Sequence, residues 1–307
     1  MPDFKKQVLL VLEKINSSGS FVSAGTKPFC FPGLKVKDMD EISFPVNVVQ
    51  VKELIAQAHK APFGKGSQTV LDTTVRSAWE IDATDIQLTN PEWNGFVRSI
   101  VEKAKSEMGI IDRKASANLY KLLIYEKGDF FLPHKDSEKE PGMFGTLIIG
   151  LPSKHEGGEL LVHFDGNTRI IDFSHPANQY EISYAAFYAD CEHEIKPVIS
   201  GYRLCLVYNL VLQERKDGIQ LQQLSNYTDQ LVGILKSAEE DRDMPKVVLL
   251  GHQYTPANFT MDSLKLNDRP RAEALLRAAE LAGFYAKPGL VTSYQMGELL
   301  FESRPYR

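Results

Sequence analysis

"LLIYEKGDFFLPHKD", residues 122–136, begins as an apolar run and ends on His134 and Asp136. Residues two apart on a strand point to the same face. A strand reading of this stretch therefore turns an imidazole and a carboxylate toward one point, the start of a metal site. A His-x-Asp pair standing alone is also common on a solvated surface. The pattern around it has to decide.

That pattern is strand-like from 118 to 212. The runs "LYKLLIYE", "GTLIIGLP", "GELLVHFDG", "TRIIDF", "YEISYAAFYAD", "HEIKPV" and "YRLCLVYNLVL" follow one another, punctuated by glycine, proline and Asp-Gly. "FDGNTRI" reads as a hairpin turn. Many short strands without intervening helices predict a β-sandwich or barrel.

The flanks read differently. Helices are predicted over 4–17 and over 47–60, where Val48, Val51, Leu54, Ile55 and Ala58 recur with helical spacing. Between them, 20–45 is broken by Pro28, Pro32 and Pro45, and 61–90 reads as polar loop. A third helix follows "TNPEW", with Asn90 placed to cap it and Pro91 in its first turn. Beyond Gln213, helices are predicted over 219–241 and 262–283, with short strands at "KVVLLGHQY" and "GLVTSYQ". The expected organisation is α+β in three parts. Residues 1–112 form a helical and mixed support, 113–212 the barrel, and 213–307 a mixed α/β C-terminal extension. The ending "FESRPYR" carries no stop signal, which leaves open a longer chain.

The 307 residues suffice for a substantial core, and 43% hydrophobic with 24% charged residues is ordinary for a soluble globular protein. A formal net charge of -5 argues against a nucleic-acid backbone as partner, since phosphate contacts need a basic face. In "MPDFKKQVLLVLEKINSSGS" the apolar run extends only from Val8 to Leu12, an amphipathic helix and not a signal peptide. No stretch approaches the 18 or so apolar residues of a membrane span. Cys30, Cys191 and Cys205 lie far apart and form no disulfide framework. These features predict a soluble, cytoplasmic protein with no membrane partner.

Downstream, "CEHEIKPVISGYRLCLVYNL" supplies His193 in a strand-like context and Arg203 after it. Two histidines and one carboxylate on one face of an octahedral metal form the facial triad of non-haem Fe(II) oxygenases, leaving positions for a bidentate 2-oxo acid and dioxygen. A 2-oxo diacid carries a second, distal carboxylate, which a guanidinium binds as a planar fork. Arg203 fits that task, and Tyr125, on the strand before His134, is in place to donate a further hydrogen bond.

Taken together, "LLIYEKGDFFLPHKD", "GTLIIGLPSKHEGGELLV" and "CEHEIKPVISGYRLCLVYNL" resemble the prolyl 4-hydroxylase-like branch of the Fe(II)/2-oxoglutarate dioxygenase superfamily, over roughly residues 115–212. The resemblance implies a double-stranded β-helix, or jelly-roll, with N-terminal helices packed on one sheet. It implies iron on His134, Asp136 and His193, the distal carboxylate of 2-oxoglutarate on Arg203, and Tyr125 as the supporting tyrosine. "EGGEL" matches the turn that opens a barrel strand. Fe(II), 2-oxoglutarate as cosubstrate and dioxygen are the implied cofactors, and hydroxylation of an unactivated C–H bond the implied activity. Collagen-type members often carry Lys at the position of Arg203, and this chain sides with the intracellular members.

Other residues read as structural. His155 in "SKHEGG" is expected to be a solvated turn residue, and His175 in "FSHPAN" a loop residue. His163 and Asp165 repeat the His-x-Asp spacing, but Asp165 serves the hairpin turn. His59 and His252 lie outside the barrel segment. Cys191 reads as a small buried filler. Trp79 and Arg76 in "TVRSAWEID" suit a substrate entrance, with the core as the equal alternative for Trp79 and a solvated side chain for Arg76. The leading expectation is a hydroxylase of a prolyl or other residue of a protein. A hydroxylase of a free amino acid or small metabolite is the alternative, distinguished by a lidded cavity in place of an open groove. A nucleic-acid demethylase would want a basic face and stacking aromatics. An inactive binding scaffold would lack a ligand, and a zinc site would leave Arg203 without a purpose.

Overall fold

The computed structural model describes residues 4–65, 68–110, 113–174, 180–213, 225–237 and 246–291. In chain order its strands are β1 (Val22–Pro28), β2 (Leu34–Val36), β3 (His59–Lys60), β4 (Phe63–Lys65), β5 (Gln68–Val70), β6 (Arg76–Ser77), β7 (Trp79–Asp82), β8 (Ile86–Leu88) and β9 (Ala115–Tyr125). They continue as β10 (Phe130–His134), β11 (Met143–Leu151), β12 (His155–Gly157), β13 (Leu160–Phe164), β14 (Asn167–Ile171), β15 (Glu181–Tyr188), β16 (Glu192–Ile195), β17 (Val198–Gly201) and β18 (Arg203–Leu212). The helices are α1 (Phe4–Leu12), α2 (Val48–Gln57), α3 (Trp93–Glu107), α4 (Ser225–Ser237) and α5 (Asp268–Ala282).

Two antiparallel sheets face each other. The larger runs β1-β15-β11-β18-β9-β7-β3, the smaller β14-β13-β16-β10-β6. From β9 to β18 the chain alternates between them: β9 large, β10 small, β11 large, β13 and β14 small, β15 large, β16 small, β18 large. That alternation is a double-stranded β-helix, the expected fold class. The inside shared by the two sheets is filled by Ile148, Phe187, Leu160, Val162 and Ile195, while Leu147, Ile149, Tyr184 and Leu206, also buried, alternate onto the other face of the large sheet, toward α3. The hairpin expected at "FDGNTRI" joins β13 to β14, with Phe164 opposite Asn167. Its two turn residues are both left-handed, Asp165 at φ +48° and Gly166 at φ +74°. Such turns match the right-handed twist of the flanking strands, which explains why Asp-Gly stands there.

Helix α2 is capped by Asn47, whose side chain accepts from the Gln50 N–H. Asn90 acts one turn before α3, accepting from the Glu92 N–H at 3.0 Å. α3 packs Trp93, Val97, Ile100 and Val101 against the large sheet, and the Trp93 indole donates to the Tyr208 hydroxyl at 2.9 Å. A second hydrophobic cluster stands apart from the barrel core. It joins Val8, Val11 and Leu12 of α1 to Leu231 and Leu235 of α4 and to Ala274, Ala278 and Ala279 of α5.

Several expectations need correction. Residues 61–90 are not loop: they carry β4 to β8, and β7 pairs with β9 inside the large sheet. α1 stops at Leu12, short of 17, though Ile15 still packs into the helical cluster. α5 starts at Asp268, after a short 3-10 turn at Met261–Ser263. "KVVLLGHQY" forms no strand: residues 246–254 have no regular structure, because no neighbouring strand offers them a ladder. Most of "GLVTSYQ", His175, and the start of the helix expected at 219 lie outside the described residues. Among the described residues, no helix is long and apolar enough to cross a membrane.

Candidate active site

The barrel encloses a cavity of about 370 Å³. At one end lie His134 at the tip of β10, Asp136 just beyond it, and His193 on β16, directly opposite His134 in the sheet. A ligand atom from each lies within 4.8 Å of the other two. His134 Nε2 is 4.0 Å from Asp136 Oδ1, and His193 Nε2 is 3.8 Å from Asp136 Oδ2.

The opposite ring nitrogens are occupied. His134 Nδ1 is 2.8 Å from the Leu132 carbonyl and His193 Nδ1 is 3.2 Å from the Cys191 carbonyl. A carbonyl only accepts, so each Nδ1 carries the proton and each Nε2 turns a lone pair inward, the tautomer a metal needs. The rings are also wedged: Phe131 stacks on His134 with centroids 3.4 Å apart, and Phe187 lies 4.6 Å from His193. Asp136 accepts from the Thr146 hydroxyl at 2.5 Å and gives its N–H to the Ala189 carbonyl at 3.0 Å. Burial, with His193 next in weight, holds the His134 imidazole down at about 3. Burial would raise the Asp136 carboxyl, but the two imidazoles and the Thr146 hydroxyl outweigh it and hold it below the usual range.

At the other end Arg203 is 1% exposed. It stands opposite Tyr125 in the β18–β9 pair, with its guanidinium carbon 5.2 Å from the Tyr125 ring and 4.7 Å from the Phe173 ring. Nη1 donates to Cys205 Sγ at 3.0 Å, while Nε and Nη2 have no hydrogen-bond partner among the described residues. A buried guanidinium side with two orphaned nitrogens is costly unless a planar anion meets it. The donor set at one end and the unpaired guanidinium nitrogens at the other fit a divalent first-row metal and a dianionic chelator.

Residues 120–211 match the family described as the 2OG-Fe(II) oxygenase superfamily. They form a 2OG-Fe(II) oxygenase domain. The family uses Fe(II), 2-oxoglutarate and dioxygen. Similar solved structures include a prolyl-4-hydroxylase from Pseudomonas putida, 10% identical over 66% of this chain and 98% of that one, with a TM-score of 0.41. A prolyl hydroxylase from Trichoplax adhaerens, solved with a hypoxia inducible factor oxygen degradation domain peptide fragment, is 15% identical over 67% and 90%, with a TM-score of 0.39. An oxidoreductase of the 2OG-Fe(II) oxygenase family from Burkholderia pseudomallei is 17% identical over 68% and 91%, with a TM-score of 0.33. No curated protein matches the chain.

The oxygenase domain takes further residues into its cavity. Arg76, for which a substrate entrance and a solvated side chain were both open, is 7% exposed and lines it. Its guanidinium lies 4.5 Å above the Phe131 ring and donates to the Pro62 carbonyl at 2.5 Å. Glu80 and Lys121 line the same wall, buried and paired at 2.7 Å. Burial lowers the Lys121 ammonium, with the Glu80 charge acting against it. His155 is not solvated either: it is 7% exposed on β12, and burial with the nearby Arg203 charge lowers its imidazole. Trp79 is half-buried outside the cavity, its indole donating to Glu126 at 2.8 Å. Cys191 is a fully buried filler. His163 faces Thr168 and Glu194 on the outside of the small sheet. A second trio, His59, Glu80 and Asp82, also converges, but Glu80 is held there by Lys121 and the other two are exposed.

Proposed function

We propose that His134, Asp136 and His193 hold Fe(II), and that Arg203 and Tyr125 hold 2-oxoglutarate by its distal carboxylate. On this reading the enzyme hydroxylates an unactivated C–H bond of a polypeptide, a prolyl residue being the first candidate. The observation that carries the proposal is that one cavity joins the three ligand atoms to the orphaned Arg203 fork. Residues 113–212 are then the catalytic core, 1–112 its support and 213–307 an extension. Three unpaired cysteines support an intracellular setting.

The bound metal, cosubstrate and dioxygen supply the oxidising power, releasing succinate and carbon dioxide as one oxygen atom enters the substrate. The chain's residues orient and shield. The Leu132 and Cys191 carbonyls fix both imidazole tautomers, and Thr146 fixes the Asp136 carboxylate. Arg203 binds the distal carboxylate as a fork and sets the chelator's reach. Phe131, Ile148 and Ile195 line the wall and keep water scarce. Exposure grades along the cavity: Arg203 is 1% exposed, while the side chains of His134 and Asp136 are 20% and 24% exposed. A ligand end that reaches solvent favours a polypeptide laid across it. A small metabolite is the second reading, since about 370 Å³ also suits a small ligand.

The test is anaerobic. Fe(II) and 2-oxoglutarate added to the purified protein should give the weak visible charge-transfer band of the chelate. His134→Ala should abolish it, and Arg203→Ala should require far more cosubstrate. Admitting oxygen should then produce succinate, faster with a proline-containing peptide that is turned over. A folded protein that gives neither band nor succinate overturns the assignment.

A further inference from the structure

Asp136 lies on no strand. It belongs to the connection 135–142 between β10 and β11, which has no regular structure. A metal ligand on such a connection is only as well placed as the contacts that hold the connection. Asp136 itself is tied to Ala189 and Thr146, and Glu140 accepts from Asn118 at 2.7 Å and from Asn209 at 2.8 Å. Gly142 accepts from the Leu212 N–H of β18 at 3.0 Å. Further ties come from the C-terminal extension. The Thr255 hydroxyl donates to Glu138, the only hydrogen-bond partner of that carboxylate among the described residues. Lys135 donates to the Gln253 side chain at 3.3 Å, and Asn258 donates at 3.4 Å to the carbonyl of Met143, the first residue of β11, where the connection ends.

The segment making these contacts is itself irregular, from 246 to 260, yet firmly anchored. Long irregular connections in compact domains are usually functional. Asp190 is the anchor. Its carboxylate accepts from the Gln253 N–H at 3.0 Å, from His252 at 2.9 Å and from Lys265 at 2.7 Å. Asp190 directly follows Ala189, the residue whose carbonyl takes the Asp136 N–H. His252 stacks on Phe164 with centroids 4.2 Å apart. Asp268, at the start of α5, accepts from the Gly251 and His252 N–H groups and from the Tyr254 hydroxyl, at 2.7 to 2.8 Å. The strap is thus pinned to the barrel and to the helical cluster, and it lies across the back of the connection that presents Asp136.

We infer that residues 252–258 are a working part of the metal centre: Thr255 and Asn258 are positioning residues that fix the Asp136 connection from outside the barrel. This rests on the reading of Asp136 as a metal ligand. It gives the extension a task in the oxygenase reaction beyond added bulk.

The test uses the full chain and Co(II), whose visible absorption reports both binding and ligand geometry. Outer contacts to metal ligands typically carry 10- to 100-fold in affinity. Thr255 acts one step further out, through Glu138, so Thr255→Val is expected to weaken Co(II) binding by less than those direct contacts do, several-fold, and to change the shape of the visible spectrum, with the melting temperature little moved. Thr255→Ser keeps the hydroxyl and should restore both. Asn258→Ala tests the second contact in case Thr255→Val does not fold. Thr260→Val breaks bonds within the same extension that never reach 135–142, and should bind Co(II) as the parent does. Unchanged affinity and spectrum in both Thr255→Val and Asn258→Ala, or a Thr255→Ser variant as weak as Thr255→Val, would overturn the inference. His134→Ala separates the two levels. If it too binds Co(II) like the parent, the metal assignment fails, whatever the strap does.

Discussion

The two walls of the cavity are built on opposite terms. The small-sheet wall is aromatic and aliphatic around its two imidazoles: Phe131, His134, His193 and Ile195, with each imidazole Nδ1 on a carbonyl two residues back, and its one buried charge, Arg76 on edge strand β6, reaches across to Glu80 of the large sheet. The large-sheet wall buries charge in the core itself: Arg203, Lys121 and Glu80, exposed 1%, 6% and 3%. Side chains on the first wall are oriented by packing and carbonyls, and tolerate partial exposure. Those on the second must find counter-charges or wait for a ligand to bring one. The difference locates the stored cost of the site on the large sheet.

Breaking the large-sheet wall should therefore have the greatest effect on stability. Glu80 accepts from Lys121 at 2.7 Å and lies 3.7 Å from Arg76. Glu80→Gln leaves two buried cations facing no carboxylate. Removing one partner of a buried pair costs roughly 3–5 kcal/mol, read as a lower urea midpoint at constant slope. The double variant Glu80→Gln with Lys121→Met should recover much of that loss. An additive double variant would show that the wall is held by packing and not by charge.

Arg203 sharpens the comparison, because its two effects should have opposite signs. Nε and Nη2 are orphaned, so Arg203→Met should raise the melting temperature of the protein measured without cosubstrate. On the proposed reading the same change removes the fork for the distal carboxylate. Affinity for 2-oxoglutarate should fall about 100-fold, on the order of 3 kcal/mol, and stabilisation by added cosubstrate should shrink accordingly. Equilibrium dialysis and thermal melts measure both. A melting temperature that falls in the free protein would mean that Cys205 and the Phe173 ring already satisfy the guanidinium.

The barrel and the convergence of His134, Asp136 and His193 were legible because local signals repeat there. Strands of four to eleven residues follow one another, Asp165-Gly166 marks a hairpin, and strand periodicity turns His134 and His193 inward, with Asp136 just past the end of β10. The charged wall was not legible. β6 and β7 are two and four residues long, too short to show a period, and they exist because β10 and β9 offer them ladders. Arg76, Glu80 and Lys121 have the composition of a solvated face, and only long-range pairing buries them. His155 sits between charged residues and glycines, and its burial follows from β17 and from Arg203 behind it. "KVVLLGHQY" misled in the opposite direction. Its β-branched run finds no strand to pair with, leaving Val247 and Leu249 61% and 77% exposed.

The smallest expected effect probes how closely the two walls meet. Gly158, in the turn before β13, has φ +75°, and a Cβ placed there would lie 3.0 Å from Arg203 Cδ and 3.0 Å from Val198 Cγ2. Gly158→Ala should cost about 1–2 kcal/mol for the left-handed backbone alone. Gly166, at φ +74°, has nothing within 4 Å of such a Cβ, so Gly166→Ala carries the backbone cost without the contact. Any excess in the first variant belongs to the push on Arg203. If that push displaces the fork, Gly158→Ala should raise the 2-oxoglutarate dissociation constant several-fold while leaving Co(II) affinity untouched, and Gly166→Ala should change neither. Equal effects of the two variants on cosubstrate binding would show that the Arg203 side chain absorbs the crowding along its flexible stem. The small-sheet turn would then be a boundary of the pocket and not a support for it.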